Sequence, residues 1–215
     1  MNILCPVCNS SKGVPFYSGD KHENYRQYYY CSNCSFVFID KKYFLSKQEE
    51  KNRYLKHNNR MDDEKYRTFL EQIYTALAPY IKTGANGLDY GSGQCLLLSR
   101  IFTEHGFKME GYDPLFHNDK NVLKRKYDFI VSTETVEHFY NPQKEFERLK
   151  SLIKTPGYIG IMTCMLESWD EFPSWYYHKD TTHVSFYTKN TFKYIANQYN
   201  FNCIFPRKNI IILEI

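Results

Sequence analysis

Asp89, Gly91, Gly93 and Asp113 are spaced for holding a small charged ligand. The stretch Leu88-Asp89-Tyr90-Gly91-Ser92-Gly93 turns a short strand into a helix, and Asp113 closes the next strand, 22 positions past Gly91. Glycines there let the backbone approach a ligand closely. Leu96 stands where the third glycine of the dinucleotide fingerprint G-x-G-x-x-G would be, so that fingerprint fails. An acid two residues before the first glycine would repel a pyrophosphate and suits a cationic ligand. S-adenosylmethionine, with an ammonium, a sulfonium and no phosphate, meets that demand. Asp113 is then placed to accept hydrogen bonds from both ribose hydroxyls.

Four of the seven cysteines form two C-x-x-C pairs, Cys5/Cys8 and Cys31/Cys34. Two intervening residues let both sulfurs of a turn face one metal ion, and a second such turn completes a tetrahedral tetrathiolate zinc site. A redox C-x-x-C is the other reading of one pair, but it does not account for the second. Four protein ligands leave no open position, so this zinc is expected to be structural. The remaining cysteines, Cys95, Cys164 and Cys203, are scattered, and the opening MNILCPVCNS lacks the basic start and apolar run of a secretion signal. An odd total without such a signal points to a reducing compartment, hence a cytoplasmic protein.

The elements that must position these residues fall into three parts. Residues 1–40 read as a zinc ribbon with strands at Tyr25–Tyr30 and Phe36–Ile39. Residues 41–80 read as a helical connector, with helices at Lys47–His57 and Asp62–Tyr80; the second has Tyr66, Phe69, Leu70, Ile73, Tyr74 and Leu77 at spacings of three and four. His57, Asn58 and Asn59 between them suit a turn or cap, or a substrate contact. Residues 81–215 alternate strand and helix: strands at Gly87–Tyr90, Phe107–Tyr112, Tyr127–Ser132, Tyr158–Thr163, Phe201–Phe205 and Asn209–Leu213, with helices at Gln94–Glu104, Pro142–Ile153 and Thr188–Asn200. This is an α/β pattern with a mostly parallel sheet and an antiparallel last strand.

The chain resembles the class I S-adenosylmethionine-dependent methyltransferases. The resemblance lies in the D-x-G-x-G loop Asp89–Gly93, in Gly111-Tyr112-Asp113-Pro114, and in Tyr127-Asp128-Phe129-Ile130-Val131-Ser132-Thr133-Glu134-Thr135-Val136-Glu137-His138. It is similar in particular to the bacterial ubiquinone-biosynthesis-like methylases that carry an N-terminal four-cysteine zinc module, a likeness extended by Asp180-Thr181-Thr182-His183-Val184-Ser185-Phe186-Tyr187. The resemblance implies a Rossmann-like methyltransferase sheet and a cofactor pocket formed by Asp89, Gly91, Ser92, Gly93, Asp113, Pro114, Thr133 and Glu134, with Glu134 on the cofactor side. One departure stands out. Asp113 and Asp128 are 15 positions apart, too few for the helix, strand and helix that usually intervene. The third strand is therefore expected to be missing or vestigial, with order 2-1-4-5-7-6 in the family's strand labels. Adenine would then rest on Pro114–Phe116, with Asp119 a poor substitute for the usual acid.

Methyl transfer from a sulfonium chiefly requires alignment and exclusion of water. Where the acceptor is a hydroxyl or acidic carbon, a base helps, and histidine is the natural candidate. His138 follows the fourth family strand; His183 lies among Trp169, Phe172, Trp175, Tyr176, Tyr177, Phe186 and Tyr187, rings that could stack on a flat acceptor or pack on themselves. For His138, capping or loop bracing is the other reading. The preferred function is O- or C-methylation of a small molecule, aromatic or sugar-like. The alternatives are an RNA methyltransferase gripping RNA through the ribbon, or a non-catalytic cofactor-binding scaffold. Against RNA, Cys5–Cys34 carries Lys12, Lys21 and Arg26 against Asp20 and Glu23, a thin balance for phosphate contacts. Nor does Asn-Pro-Pro-Tyr occur. Hydrophobic residues at 42% and charged residues at 24% allow a real core, and no run approaches the roughly 20 apolar residues needed to span a bilayer.

Overall fold

The computed structural model describes residues 3–56 and 60–215; His57, Asn58 and Asn59 lie outside them. The N-terminal part is an antiparallel ribbon of β1 (Gly13–Ser18), β2 (Gln27–Cys31) and β3 (Val37–Ile39), with Gly13 opposite Cys31 and Tyr28 opposite Ile39. Helix α1 (Lys47–Tyr54) starts at a capping box in which Ser46 and Glu49 satisfy each other's backbone. Helix α2 (Glu64–Leu77) starts where Asp63 accepts from the amides of Lys65 and Tyr66, and it buries Leu70, Ile73 and Leu77. It ends earlier than its periodicity suggests because Pro79 tightens the last turn, Ala78–Tyr80, into a 3-10 helix.

Then follow β4 (Asn86–Tyr90), α3 (Leu97–Glu104), β5 (Lys108–Tyr112), β6 (Tyr127–Thr133), α4 (Pro142–Leu152), β7 (Ile153–Met162), β8 (Ser185–Phe186), α5 (Lys189–Tyr199), β9 (Asn202–Arg207) and β10 (Ile210–Glu214). The main sheet runs β5-β4-β6-β7-β10-β9. Its first four strands are parallel, and β10 is antiparallel to both β7 and β9. In family labels this is 2-1-4-5-7-6. Residues 113–126 hold only a single bridge, Asp113 with His117, and a 3-10 turn at Val122–Lys124, so the third strand is missing and β5 is a sheet edge.

Helices α2 and α3 cover one face of the sheet, with Leu70, Ile73, Ile101 and Phe102 packed on Phe129, Val131 and Ile212. On the other face, Phe146 of α4 and Phe192 and Ile195 of α5 share a core with Ile130, Ile159 and Ile211. The ribbon joins this second core through Cys5, Val7, Phe36 and Phe38.

Helix α3 begins three residues later than expected. Gly93 takes a left-handed backbone (φ 61°), which prolongs the loop before a helical turn can close. Strand β7 begins five residues earlier than expected, directly after α4. Strand β8 is too short to leave a periodic signal. It pairs with β3, Val37 against Phe186, making the ribbon a four-stranded sheet completed from the far end of the chain. Phe172 is fully buried at this seam, edge-on to Phe16 and Tyr28 at 5.1 Å and stacked on His178 at 4.6 Å.

Phe172→Ala should cost about 3–5 kcal/mol of folding stability, read as a shifted midpoint of one cooperative denaturant transition. A biphasic curve in which only a minor first step moves would show instead that the ribbon unfolds by itself.

Candidate functional site

The glycine loop sits at the C-terminal edge of the parallel strands, where open α/β sheets bind ligands. Gly91 (φ 84°) lies so close to Thr135 that a Cβ would come 2.1 Å from its methyl group, so glycine is required there. Gly93 faces open space, with nothing within 4 Å of where a Cβ would project. Asp113, 9% exposed, ties the floor together: one carboxylate oxygen accepts from the Gly93 amide at 3.0 Å, the other from the amides of Leu115 and Phe116 at 2.8 and 3.1 Å. Pro114 lies inside that bracket.

Asp89 is 2% exposed and accepts from the hydroxyl of Ser99 in α3 at 3.0 Å. Burial, opposed by Ser99 and reinforced by the nearby Asp113 charge, pushes its carboxyl up to about 7. Neither acid points into bulk solvent. Two more polar atoms in this crevice, the hydroxyls of Ser92 and Thr133, are buried without a hydrogen-bond partner. Open space before Gly93, two unpaired hydroxyls and a buried acid are what a polar, cationic nucleoside would satisfy. These residues fit S-adenosylmethionine.

Glu134 adopts a left-handed backbone (φ 47°), and burial followed by the Glu137 charge pushes its carboxyl up to about 9. Its Oε2 accepts from the Tyr177 hydroxyl at 3.2 Å. Beside it opens a cavity of about 620 Å³ at the end of β7, lined by Cys164, Trp175 and Tyr176, by Arg207 at the end of β9 and by Lys208 in the turn that follows.

Beyond Tyr177, the structure brings His138 and His183 together, their ring centroids 4.8 Å apart. His138 Nδ1 faces the Thr182 carbonyl at 3.1 Å, and His183 Nδ1 faces that of Tyr177 at 2.6 Å. Burial first, and then the His138 charge, lower the His183 imidazole to about 4. Glu137 is fully buried beside them.

Several residues of this crevice escape sequence reasoning. Tyr54 of α1 lies edge-on to His138 at 5.3 Å and near Phe116 at 6.4 Å, so the connector roofs the crevice. Tyr66 of α2 is close to the loop from the other side: burial raises its phenol pKa, and the charges of Asp89, Cys95 and Glu134 raise it further. Arg26, counted by sequence among the ribbon's cations, is 2% exposed. Its guanidinium donates to the carbonyls of His178, Asp180, Thr181 and His183 and to the Tyr28 hydroxyl. It therefore holds the His183 loop and is not available to a phosphate. Only a contact map identifies these residues, since their partners lie up to 157 positions away.

The sulfurs of Cys5, Cys8, Cys31 and Cys34 all lie within 4.8 Å of one another, with Cys5 to Cys34 at 3.5 Å and Cys8 to Cys31 at 3.6 Å. A tetrahedral ion with sulfur bonds of about 2.3 Å sets its ligands roughly 3.8 Å apart, so the cluster fits one. The sulfur–sulfur contact between Cys5 and Cys34 lowers the Cys5 thiol to about 6 and raises that of Cys34.

A family model described as a methyltransferase domain matches residues 63–204, about two thirds of the chain. Among solved structures, a Burkholderia thailandensis 1,6-didemethyltoxoflavin-N1-methyltransferase with bound 1,6-didemethyltoxoflavin and S-adenosylhomocysteine is similar (TM-score 0.55, 12% identity, 93% of this chain and 96% of that one). So is a SAM-dependent methyltransferase from Archaeoglobus fulgidus (TM-score 0.51, 24% identity, 63% and 69%). A methyltransferase structure from Galdieria sulphuraria matches at TM-score 0.50 and 15% identity over 64% of this chain, which spans 63% of that structure's length. No curated protein matches. No helix among the described residues is long and apolar enough to cross a membrane. The chain thus belongs to the methyltransferase-domain family and carries the fold of the S-adenosylmethionine-dependent methyltransferases.

Proposed function

We propose that the protein transfers a methyl group from S-adenosylmethionine to a small-molecule acceptor. The observation that carries this reading is the glycine loop at the C-terminal edge of the parallel strands, with open space beside Gly93, buried Asp89 and Asp113, and the partnerless hydroxyls of Ser92 and Thr133. The cofactor, when bound, supplies an activated methyl group on a sulfonium. Asp89 balances its positive charge, Asp113 takes the ribose hydroxyls, and the backbone of Gly91, Ser92 and Gly93 lies against it. Pro114 and Phe116 supply apolar contact for the base in place of a third-strand acid. Thr133 and Glu134 border the cofactor where it meets the acceptor.

The acceptor enters from the side of Glu134, Tyr177 and the histidines. With Nδ1 of each ring committed to a carbonyl, Nε2 of a neutral His183 or His138 is the atom left to activate an oxygen or acidic carbon of the acceptor. Aromatic rings around Tyr177 and Trp175 suit an aromatic or sugar-like acceptor and exclude water. An RNA acceptor is disfavoured by the burial of Arg26, which leaves the ribbon with Lys12 and Lys21 as cations. The four-cysteine cluster is proposed to hold one structural zinc that braces the ribbon, in a protein of the cytoplasm.

Calorimetry should detect S-adenosylmethionine binding in the wild type and none in Asp113→Ala that remains folded; no heat in the wild type would defeat the reading. His183→Ala should keep cofactor affinity and lose about 10²–10⁴ in turnover, whereas unchanged turnover removes His183 from the mechanism.

Asp89 provides a pH test. Between pH 3.8 and about 7 the folded chain keeps a proton that the unfolded chain releases. Stability from this group therefore declines as pH rises through that window. Asp89→Asn should raise the melting temperature relative to wild type at pH 8, with the gain vanishing towards pH 4, while abolishing cofactor binding. A gain independent of pH would contradict the buried-acid account.

For the ribbon, cobalt titration of the metal-stripped protein should produce sulfur-to-metal charge-transfer absorption that Cys31→Ser weakens. Its absence would rule out the tetrathiolate site.

A further inference from the structure

Glu137, His138 and His183 converge more closely than activation by imidazole alone requires. A carbonyl oxygen only accepts hydrogen bonds, so the Nδ1 atoms of His138 (3.1 Å from Thr182) and His183 (2.6 Å from Tyr177) both carry the hydrogen. In the neutral form of each ring, Nε2 is then the atom that keeps a lone pair. Glu137 is 0% exposed. Its Oε2 accepts from the Thr163 hydroxyl at 3.0 Å, while its Oε1 has no hydrogen-bond partner and lies 4.0 Å from His138 Nε2. One donor atom from each of the three residues lies within 4.8 Å of the others.

A buried carboxylate oxygen left without a partner is costly. A cation at the centre of the three donors removes that cost. The outer contacts also have the form seen around metal ligands: imidazoles oriented by Nδ1–H on carbonyls, and a ligating carboxylate hydrogen-bonded through its other oxygen.

We propose that Glu137, His138 and His183 form a binding site for a divalent transition-metal ion, separate from the cysteine cluster. Two imidazoles and a carboxylate suit zinc, manganese, iron or cobalt. Modest rotations of the rings bring donors within 4.8 Å to the roughly 3.3 Å expected around an ion with bonds of about 2.0–2.1 Å. Three protein ligands leave coordination positions open. The ion would face the crevice beneath Tyr54, whose ring contacts both His138 and Phe116. The acceptor class that completes such a site carries a hydroxyl or carboxylate oxygen. With both Nε2 lone pairs on the ion, the ion replaces the imidazoles in activating that oxygen, and a coordinated hydroxyl gives its proton to water more readily than a free one. This naming of the acceptor rests on the methyl-transfer reading, whereas the metal site does not.

The test uses the full chain after its cysteine cluster has been filled with one equivalent of zinc. Titration with Co2+ should add one further equivalent, seen as d–d absorption without sulfur-to-metal charge transfer. His183→Ala and Glu137→Gln should each weaken that binding by more than about tenfold. Because Glu137 is fully buried, His138→Ala serves as a third variant, with circular dichroism reporting the fold of all three. A wild type that takes up no further cobalt, or variants that all bind it as the wild type does, would overturn the site. S-adenosylhomocysteine calorimetry on the same samples keeps the two readings apart. Cobalt uptake without nucleoside binding supports the metal site and defeats methyl transfer, and nucleoside binding without cobalt uptake does the reverse.

Discussion

The acceptor side of this molecule depends on one buried guanidinium. Arg26 projects from the start of the ribbon's second strand and gathers four carbonyls of the 178–183 segment. A guanidinium offers five donors in a rigid fork and cannot be deprotonated, so it can hold an irregular loop that no ladder holds. Nearby, Glu23 accepts from the buried His178 ring at 3.1 Å. The segment so pinned carries His183 and, two residues on, the strand that completes the ribbon sheet. Losing the guanidinium would take this donor from the carbonyls of Thr181 and His183, whereas those of His178 and Asp180 keep the Tyr28 hydroxyl and the His183 amide. The ribbon is thereby part of the architecture of the crevice.

The cofactor side follows a different logic. Asp89 is held in a setting that disfavours its charge, with Ser99 and the first turn of α3 as partial compensation. Asp113 is satisfied by the three backbone amides that define the loop. One acid is thus kept in tension while the other acts as scaffold. The left-handed backbones of Gly91, Gly93 and Glu134 lie along the same crevice, where backbone strain is commonly concentrated in functional sites.

What was legible in the sequence is what depends on local spacing. The D-x-G-x-G loop, the paired cysteines and the alternation of strand and helix are read from neighbours in the chain. The missing third strand followed from counting positions between Asp113 and Asp128. The remainder depends on contacts between distant residues. Arg26 looked like a surface cation because its carbonyl partners leave no signature in composition. Strand β8, two residues long, has no periodicity to detect. Tyr54 reads as an ordinary member of a Tyr-rich chain until the fold sets it against His138, and the sequence names Tyr177 only as one of the rings near His183, not as the partner of Glu134. Helix α3 starts later than its sequence suggests because Gln94, Cys95 and Leu96 have nothing against helix, while Asp113 accepts from the Gly93 amide and holds it in the loop.

The shortened sheet has an effect away from the crevice. Strand β5 has a neighbour on one side only, and the row of backbone groups on its other side could template a strand from another molecule. The chain blunts that margin with charge. Lys108 is exposed at its start, and Glu110 is clasped by Arg125 and by the Tyr127 hydroxyl at 2.6 Å. The short 113–126 connection thus does more than replace a lost element: by supplying Arg125 it guards the open flank against edge-to-edge self-association.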